Sequence, residues 1–224
     1  MSAADPSLII YHKGFVILYM LVYVDDILLT SSSSSSLDDI VATLGRTFSL
    51  KDLGSGRYFL GIEIMPQPHG IVLTQQRYIL HLFNHTNLAE VKPLTSSMEA
   101  NIKLFKFSGD SLSDPFEYRN IVGTLQYVTI TRFDIPFSVN KACQFLHSPT
   151  IKPCAAVKRI LRYLKQIVDH GLYFYSTPAL LTLRAFSNAD WASYPNDKQA
   201  IGGYLIYLGC NVVAWSSKKQ PTIA

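Results

Sequence analysis

With 224 residues, 48% hydrophobic and 12% aromatic, the chain has ample material for a buried core, which excludes wholesale disorder and fits one large domain or two small ones. A net charge of +4 and a pI near 8.9 permit a polyanionic partner without demanding one. Cys143, Cys154 and Cys210 form no C-x-x-C pair, and their odd number argues against a disulfide framework; isolated buried thiols are expected. The apolar run Phe15 to Leu29 is too short for a membrane span and is interrupted by Asp25 and Asp26. With no leader pattern at the start, a soluble intracellular protein, cytoplasmic or nuclear, with no membrane partner is expected.

In chain order, Ser7 to Tyr11, a Lys13-Gly14 turn and Phe15 to Tyr23 read as a hairpin, and Ile27 to Thr30 adds a tighter one after the aspartates. The serine run Ser31 to Ser36 reads as a flexible loop, with Leu37-Asp38-Asp39 opening an amphipathic helix that Lys51 to Gly54 ends. Tyr58 to Ile64 and Ile71 to Thr74, joined by His69-Gly70, read as a further hairpin, followed by a helix from Gln75 to about Asn87. Lys92 to Ser113, polar and without period, reads as a connection between domains. Asp114 as N-cap and Pro115 at the first helical position then start a helix with the stripe Tyr118, Ile121, Val122, Leu125 and Val128. Further helices are expected over Pro136 to Leu146 and Pro153 to Val168, the second stopped at Gly171. Leu180 to Phe186, Gly203 to Leu208 and Val212 to Ser216 read as strands.

Tyr23-Val24-Asp25-Asp26 is where chemistry concentrates. Adjacent carboxylates inside an apolar, strand-like segment are expensive to bury unless they meet cations or a solvent-facing turn. A hairpin turn that presents two carboxylates suits Mg²⁺, which takes hard oxygen ligands, and two such ions can clamp an in-line phosphoryl displacement. A plain polar turn is the bland alternative.

Neighbouring motifs narrow the choice. Leu21 to Leu28, Lys51-Asp52-Leu53-Gly54, Tyr58 to Glu63, Tyr118-Arg119 with Ile121-Val122-Gly123 and Leu125-Gln126-Tyr127, Lys158 to Leu164, and Trp215 to Gln220 come in one order along the chain. In that order they resemble the C-terminal part of a copia-type retrotransposon Pol polyprotein: the end of its reverse transcriptase and the start of its ribonuclease H domain. The resemblance implies an α+β fold. Residues 1–91 would be the C-terminal part of a reverse-transcriptase palm with its primer-grip hairpin, 92–178 a helical thumb or connection, and 179–224 a truncated ribonuclease H-like mixed sheet.

It also implies RNA-directed DNA synthesis by two-metal nucleotidyl transfer on a template-primer or RNA-DNA duplex. Asp25 and Asp26 would be the catalytic, metal-ligating pair for Mg²⁺ or Mn²⁺, with Tyr23 packing under the primer terminus. Phe59, Leu60 and Gly61 would form the primer grip; core packing is the other account of Phe59 and Leu60. Lys51 resembles the lysine that protonates departing pyrophosphate, or is a solvated lysine at a helix end. Lys158, Arg159, Arg162 and Lys165 would follow duplex phosphates, or be a solvated face.

In the ribonuclease H-like segment, Asn188 stands where the family has an aspartate, and Asp190 either remains of the metal site or braces a turn. Phe133 stands where the family has proline, and Cys154 where it has a large aromatic. Only 22 residues precede Tyr23, with Asp5 the one acidic residue among them, and the chain stops at Ala224. Fingers, the upstream palm aspartate and most of ribonuclease H are therefore expected to be missing. An inactive remnant follows from this, with two alternatives: a non-catalytic nucleic-acid-binding remnant, or one segment of a longer active polyprotein that supplies the rest.

Overall fold

The computed structural model describes residues 2, 5–86, 90–99, 110, 112, 114–176, 181–190 and 199–220. It divides into two compact units, residues 1–60 and 61–224. Among the described residues the chain is α+β, with antiparallel sheets and five helices.

In the first unit, β1 (Leu8–Lys13), β2 (Val16–Tyr23) and β3 (Asp26–Ser31) form an antiparallel sheet in that order. Lys13 faces Val16 and Tyr23 faces Asp26, so each connection is a two-residue turn, Gly14-Phe15 and Val24-Asp25. Leu18 is the deeply buried side chain of the sheet. The serine run does not stay a loop. Ser31 ends β3, and Ser33 caps α1 (Ser34–Thr47), its hydroxyl accepting from the Ser36 amide. A serine oxygen satisfies an amide that the first helical turn leaves unpaired, so a serine stretch next to an amphipathic sequence starts a helix early. Phe48, not Lys51, is the C-cap, and the short strand β4 (Tyr58–Phe59) closes the unit.

In the second unit, β5 (Ile62–Gln67) and β6 (Gly70–Thr74) form a hairpin, and β7 (Leu172–Tyr175) pairs with β6. Tyr58 to Ile64 is thus not one strand: the chain turns at Leu60 and Gly61, at φ 49° and 77°. The strand β7 was not legible in the sequence. Gly171 was read as a helix stop, but α5 (Ile151–Gln166) already ends at its C-cap Ile167. Gly171 instead lets the chain enter β7 against β6, since a Cβ there would lie 2.6 Å from Val72 Cγ1 and 2.7 Å from the Leu73 carbonyl oxygen.

The core is helical. α2 (Gln76–His85), α3 (Pro115–Val128), α4 (Pro136–Cys143) and α5 bury Ile79, Leu82, Phe83, Val122, Leu125, Val139, Ile160, Leu161 and Leu164 against one another. Asp114 and Pro115 start α3 as their types demand, the Asp114 carboxylate accepting from the Phe116 amide at 2.8 Å. α4 is shorter than expected, ending at Cys143 rather than Leu146. Cys143 and Cys154 are half-buried, and burial raises both thiols above their ordinary range. Cys210 is exposed rather than buried.

The last sheet has the order β10-β9-β8, from β8 (Leu183–Ala189), β9 (Ile201–Leu208) and β10 (Asn211–Lys219). It was expected to be mixed, yet its described strands pair antiparallel throughout. A turn as short as Gly209-Cys210 can only reverse the chain; a parallel neighbour needs a long crossover. Trp215 ties β10 to the helical layer, its indole N–H donating to the Thr129 carbonyl at 2.9 Å.

Candidate active site and nucleic-acid interface

The acidic turn is built by its flanking strands. β2 and β3 are in continuous register from Leu18↔Ser31 to Tyr23↔Asp26, which leaves Val24 and Asp25 as the turn itself. Val24 takes φ 49°, a conformation that β-branched residues adopt only against steric resistance. Tyr23, Val24, Asp25 and Asp26 are all exposed, Val24 to 82%. A strained residue held at the tip of a turn beside paired carboxylates is a pattern of functional sites. The donors suit a hard divalent cation, being carboxylate oxygens open to solvent. Among the described residues, however, no three His, Cys, Asp or Glu side chains gather to hold a metal ion.

Phe59 is half-buried at the end of β4, and Leu60 adopts φ 49° in the turn after it. Tyr23, Asp25, Asp26, Phe59 and Leu60 belong to the first unit; Gly61, the basic residues of α5, Asn188 and Asp190 belong to the second. Gly61 sits at φ 77° against Tyr127 of α3, where an added Cβ would lie 3.3 Å from the ring. Tyr127 in turn packs edge-on against Tyr78, with centroids 5.1 Å apart.

On α5 the basic residues divide. Lys158 is exposed. Arg159 donates to the Glu99 carboxylate at 3.0 Å and to the Ser96 hydroxyl at 2.9 Å, and Arg162 Nε donates to the Lys92 carbonyl at 2.7 Å. The Leu94 amide donates back to the Arg162 carbonyl. The segment that read as a free connection therefore runs, over residues 92–99, along the face of α5 that the two arginines occupy. Lys165 is half-buried.

Asn188 is exposed on β8, opposite Gly203. Asp190, just beyond, donates its backbone N–H to the Ile201 carbonyl, and its carboxylate accepts from the Ile201 amide. Both residues line a cavity of about 380 Å³ between this sheet and the start of α4, together with Phe133, Phe137, Phe186, Tyr204 and Trp215.

A family model described as reverse transcriptase (RNA-dependent DNA polymerase) matches residues 3–100. The Pol polyprotein of transposon RE1 from Arabidopsis thaliana is 47% identical over 219 residues, 98% of this chain, and that of transposon RE2 is 44% identical over the same share. The chain belongs to the copia-type retrotransposon Pol family. It spans 15% of the length of those two polyproteins. An uncharacterized mitochondrial protein of the same plant is 41% identical over 207 residues, 92% of this chain and 85% of that protein. No solved structure gives a significant match.

One polar cluster of this copia-type chain escaped the sequence reading, which weighed only Phe133 between Arg132 and Asp134. Arg132, 4% exposed, forks onto Asp134 through Nε at 2.9 Å and Nη2 at 2.6 Å, and donates from Nη1 to the Ile167 carbonyl at 3.0 Å. The Tyr163 hydroxyl donates to the same carboxylate at 2.7 Å. Burial alone would raise the Asp134 carboxyl, but the guanidinium and the phenol outweigh it and hold it below its usual range. Tyr163 is pushed up to about 12, by burial first and by the neighbouring carboxylate. The only legible signal was an Arg-x-Asp spacing before a helix-starting proline, which is too short to point at a partner on another helix.

Proposed function

We propose that this chain carries the metal-binding carboxylate turn and the primer-contacting parts of an RNA-directed DNA polymerase, and that it works as one segment of a longer Pol polyprotein. The carrying observation is the two-residue turn with Val24 at φ 49° and both Asp25 and Asp26 exposed. In this reading residues 1–91 are palm, 92–178 thumb or connection, and 179–224 ribonuclease H-like. Asp25 and Asp26 would hold Mg²⁺ or Mn²⁺, and a third acidic ligand would come from another segment. A divalent cation bound there supplies charge neutralisation at a transferring phosphate. Tyr23 supports the primer end, and Phe59, Leu60 and Gly61 grip the primer backbone, Gly61 by taking the positive φ of the turn while Tyr127 fills the space beside it.

Lys158 and Lys165, with whatever of Arg159 and Arg162 the 92–99 segment leaves accessible, contribute phosphate contacts. Asn188 brings no charge to a cation, and Asp190 braces the β8 end, so ribonuclease H chemistry is not part of the proposal.

Primer extension with Mg²⁺ or Mn²⁺ tests it, comparing the chain alone, the chain joined to the upstream Pol segment of transposon RE1, and the same fusion with Asp25→Asn. Extension only by the unsubstituted fusion is expected. Extension by the chain alone would overturn the need for another segment; an active Asp25→Asn fusion would overturn the assignment of the turn. A non-catalytic nucleic-acid-binding remnant is the second reading, favoured by the exposed Lys158 on a basic helix face. It predicts salt-dependent duplex binding with no extension even in the fusion.

A further inference from the structure

We propose that His81 and His85 on α2 form a bidentate site for a borderline divalent transition cation, Zn²⁺ or Cu²⁺. The two histidines stand four residues apart and so project from the same face of the helix, one turn above the other. Both are exposed, on the side opposite the buried Ile79, Leu82 and Phe83. Their Nε2 atoms are 3.2 Å apart and the ring centroids 4.3 Å apart. Two imidazole nitrogens each about 2.0–2.1 Å from a tetrahedral zinc ion lie roughly 3.3 Å from one another. The pair is thus already spaced as ligands of one cation, which would enter between them with little ring movement.

In the free protein one Nε2–H donates to the other Nε2. On binding, the donor ring moves its proton to Nδ1, both Nε2 lone pairs face the cation, and no proton need leave. The remaining coordination positions stay with water. α2 is anchored by its buried face, so the ligands are ordered before the cation arrives and the chelate keeps its advantage over single imidazoles. The nearest cationic side chain along the helix, Arg77, is paired with Glu63 at 3.2 Å, which offsets its repulsion of an incoming cation. Imidazole selects zinc and copper over magnesium, so this site is chemically separate from the aspartate turn.

Calorimetric titration of the full chain with Zn²⁺ alone, in excess Mg²⁺, tests the proposal. One saturable site is expected, with His81→Gln and His85→Gln each weakening it at least tenfold and His69→Gln leaving it unchanged. A Cu²⁺ titration is expected to give tighter binding at the same two residues. Both substitutions fall on exposed positions, and circular dichroism confirms that the variants fold. Zn²⁺ binding that persists at full strength in both variants, or no saturable binding by the wild type, overturns the site. Neither result depends on polymerase activity.

Discussion

At the scale of single residues, backbone strain and buried charge carry the information. Val24 in a left-handed conformation costs roughly 1–2 kcal/mol, and glycine escapes that cost while adding about 0.5–1 kcal/mol of chain entropy to the unfolded state. Val24→Gly is therefore expected to leave stability unchanged or raise it by up to about 1.5 kcal/mol, read from urea unfolding, whereas a Val→Gly change in a strand interior would lower it. Asp134 gives a pH-dependent case. Its carboxyl is held below the usual range in the folded chain, so its contribution is fully present above the unfolded value and fades as pH falls through the lower folded one. Asp134→Asn strands the buried Arg132 charge, with an expected loss of about 3 kcal/mol at neutral pH. Because that ionisation is gone, the variant is also expected to lose less further stability on acidification below pH ~4. Denaturation at several pH values checks both effects.

At the scale of elements, close approaches of backbone decide what is tolerated. Gly70 takes φ 154°, and a Cβ there would collide with the Phe174 carbonyl of β7. Gly70→Ala is expected to break the β6–β7 edge and lower stability by about 2–4 kcal/mol, with loss of amide protection in Ile71 to Leu73 as the local readout. On α5 the exposed and the occupied cations separate two roles that a helical wheel merges. Lys158→Gln is expected to reduce the slope of log affinity against log salt for an RNA-DNA duplex by about 0.9 while leaving stability within about 0.5 kcal/mol. Arg162→Gln is expected to destabilise the packing of residues 92–99 as well, because its Nε holds the Lys92 carbonyl. An unchanged salt slope in Lys158→Gln would remove that residue from the interface.

At the scale of the whole molecule, the buried aliphatic side chains concentrate in the helical layer of the second unit, while the first unit buries chiefly Leu18 among its large side chains. Ile160, completely buried between the helices, is expected to cost about 2–5 kcal/mol on truncation to alanine, seen as a fall in the main thermal transition. The helices were legible because their apolar stripes repeat at 3.6 residues and their caps are chemically explicit, as at Asp114-Pro115. Boundaries were lost where a residue type has two uses. Serine is at home in a loop and at an N-cap, and glycine at a helix end and at a crowded strand entry, so Ser34 to Ser36 and Gly171 were misread.

The position of the acidic turn was readable from residue types alone: two carboxylates between apolar strands are costly to bury and favour a solvent-facing reversal, and the motif order placed the chain in its family. Pairings between residues far apart in the chain were decided by the tertiary structure. Contacts such as Arg162 with Lys92, Arg132 with Ile167, Trp215 with Thr129 and Gly70 of β6 with Tyr175 of β7 join residues 35 to 105 positions apart. No local period encodes such a partner; it is set by which surfaces the helices leave open once their stripes are buried.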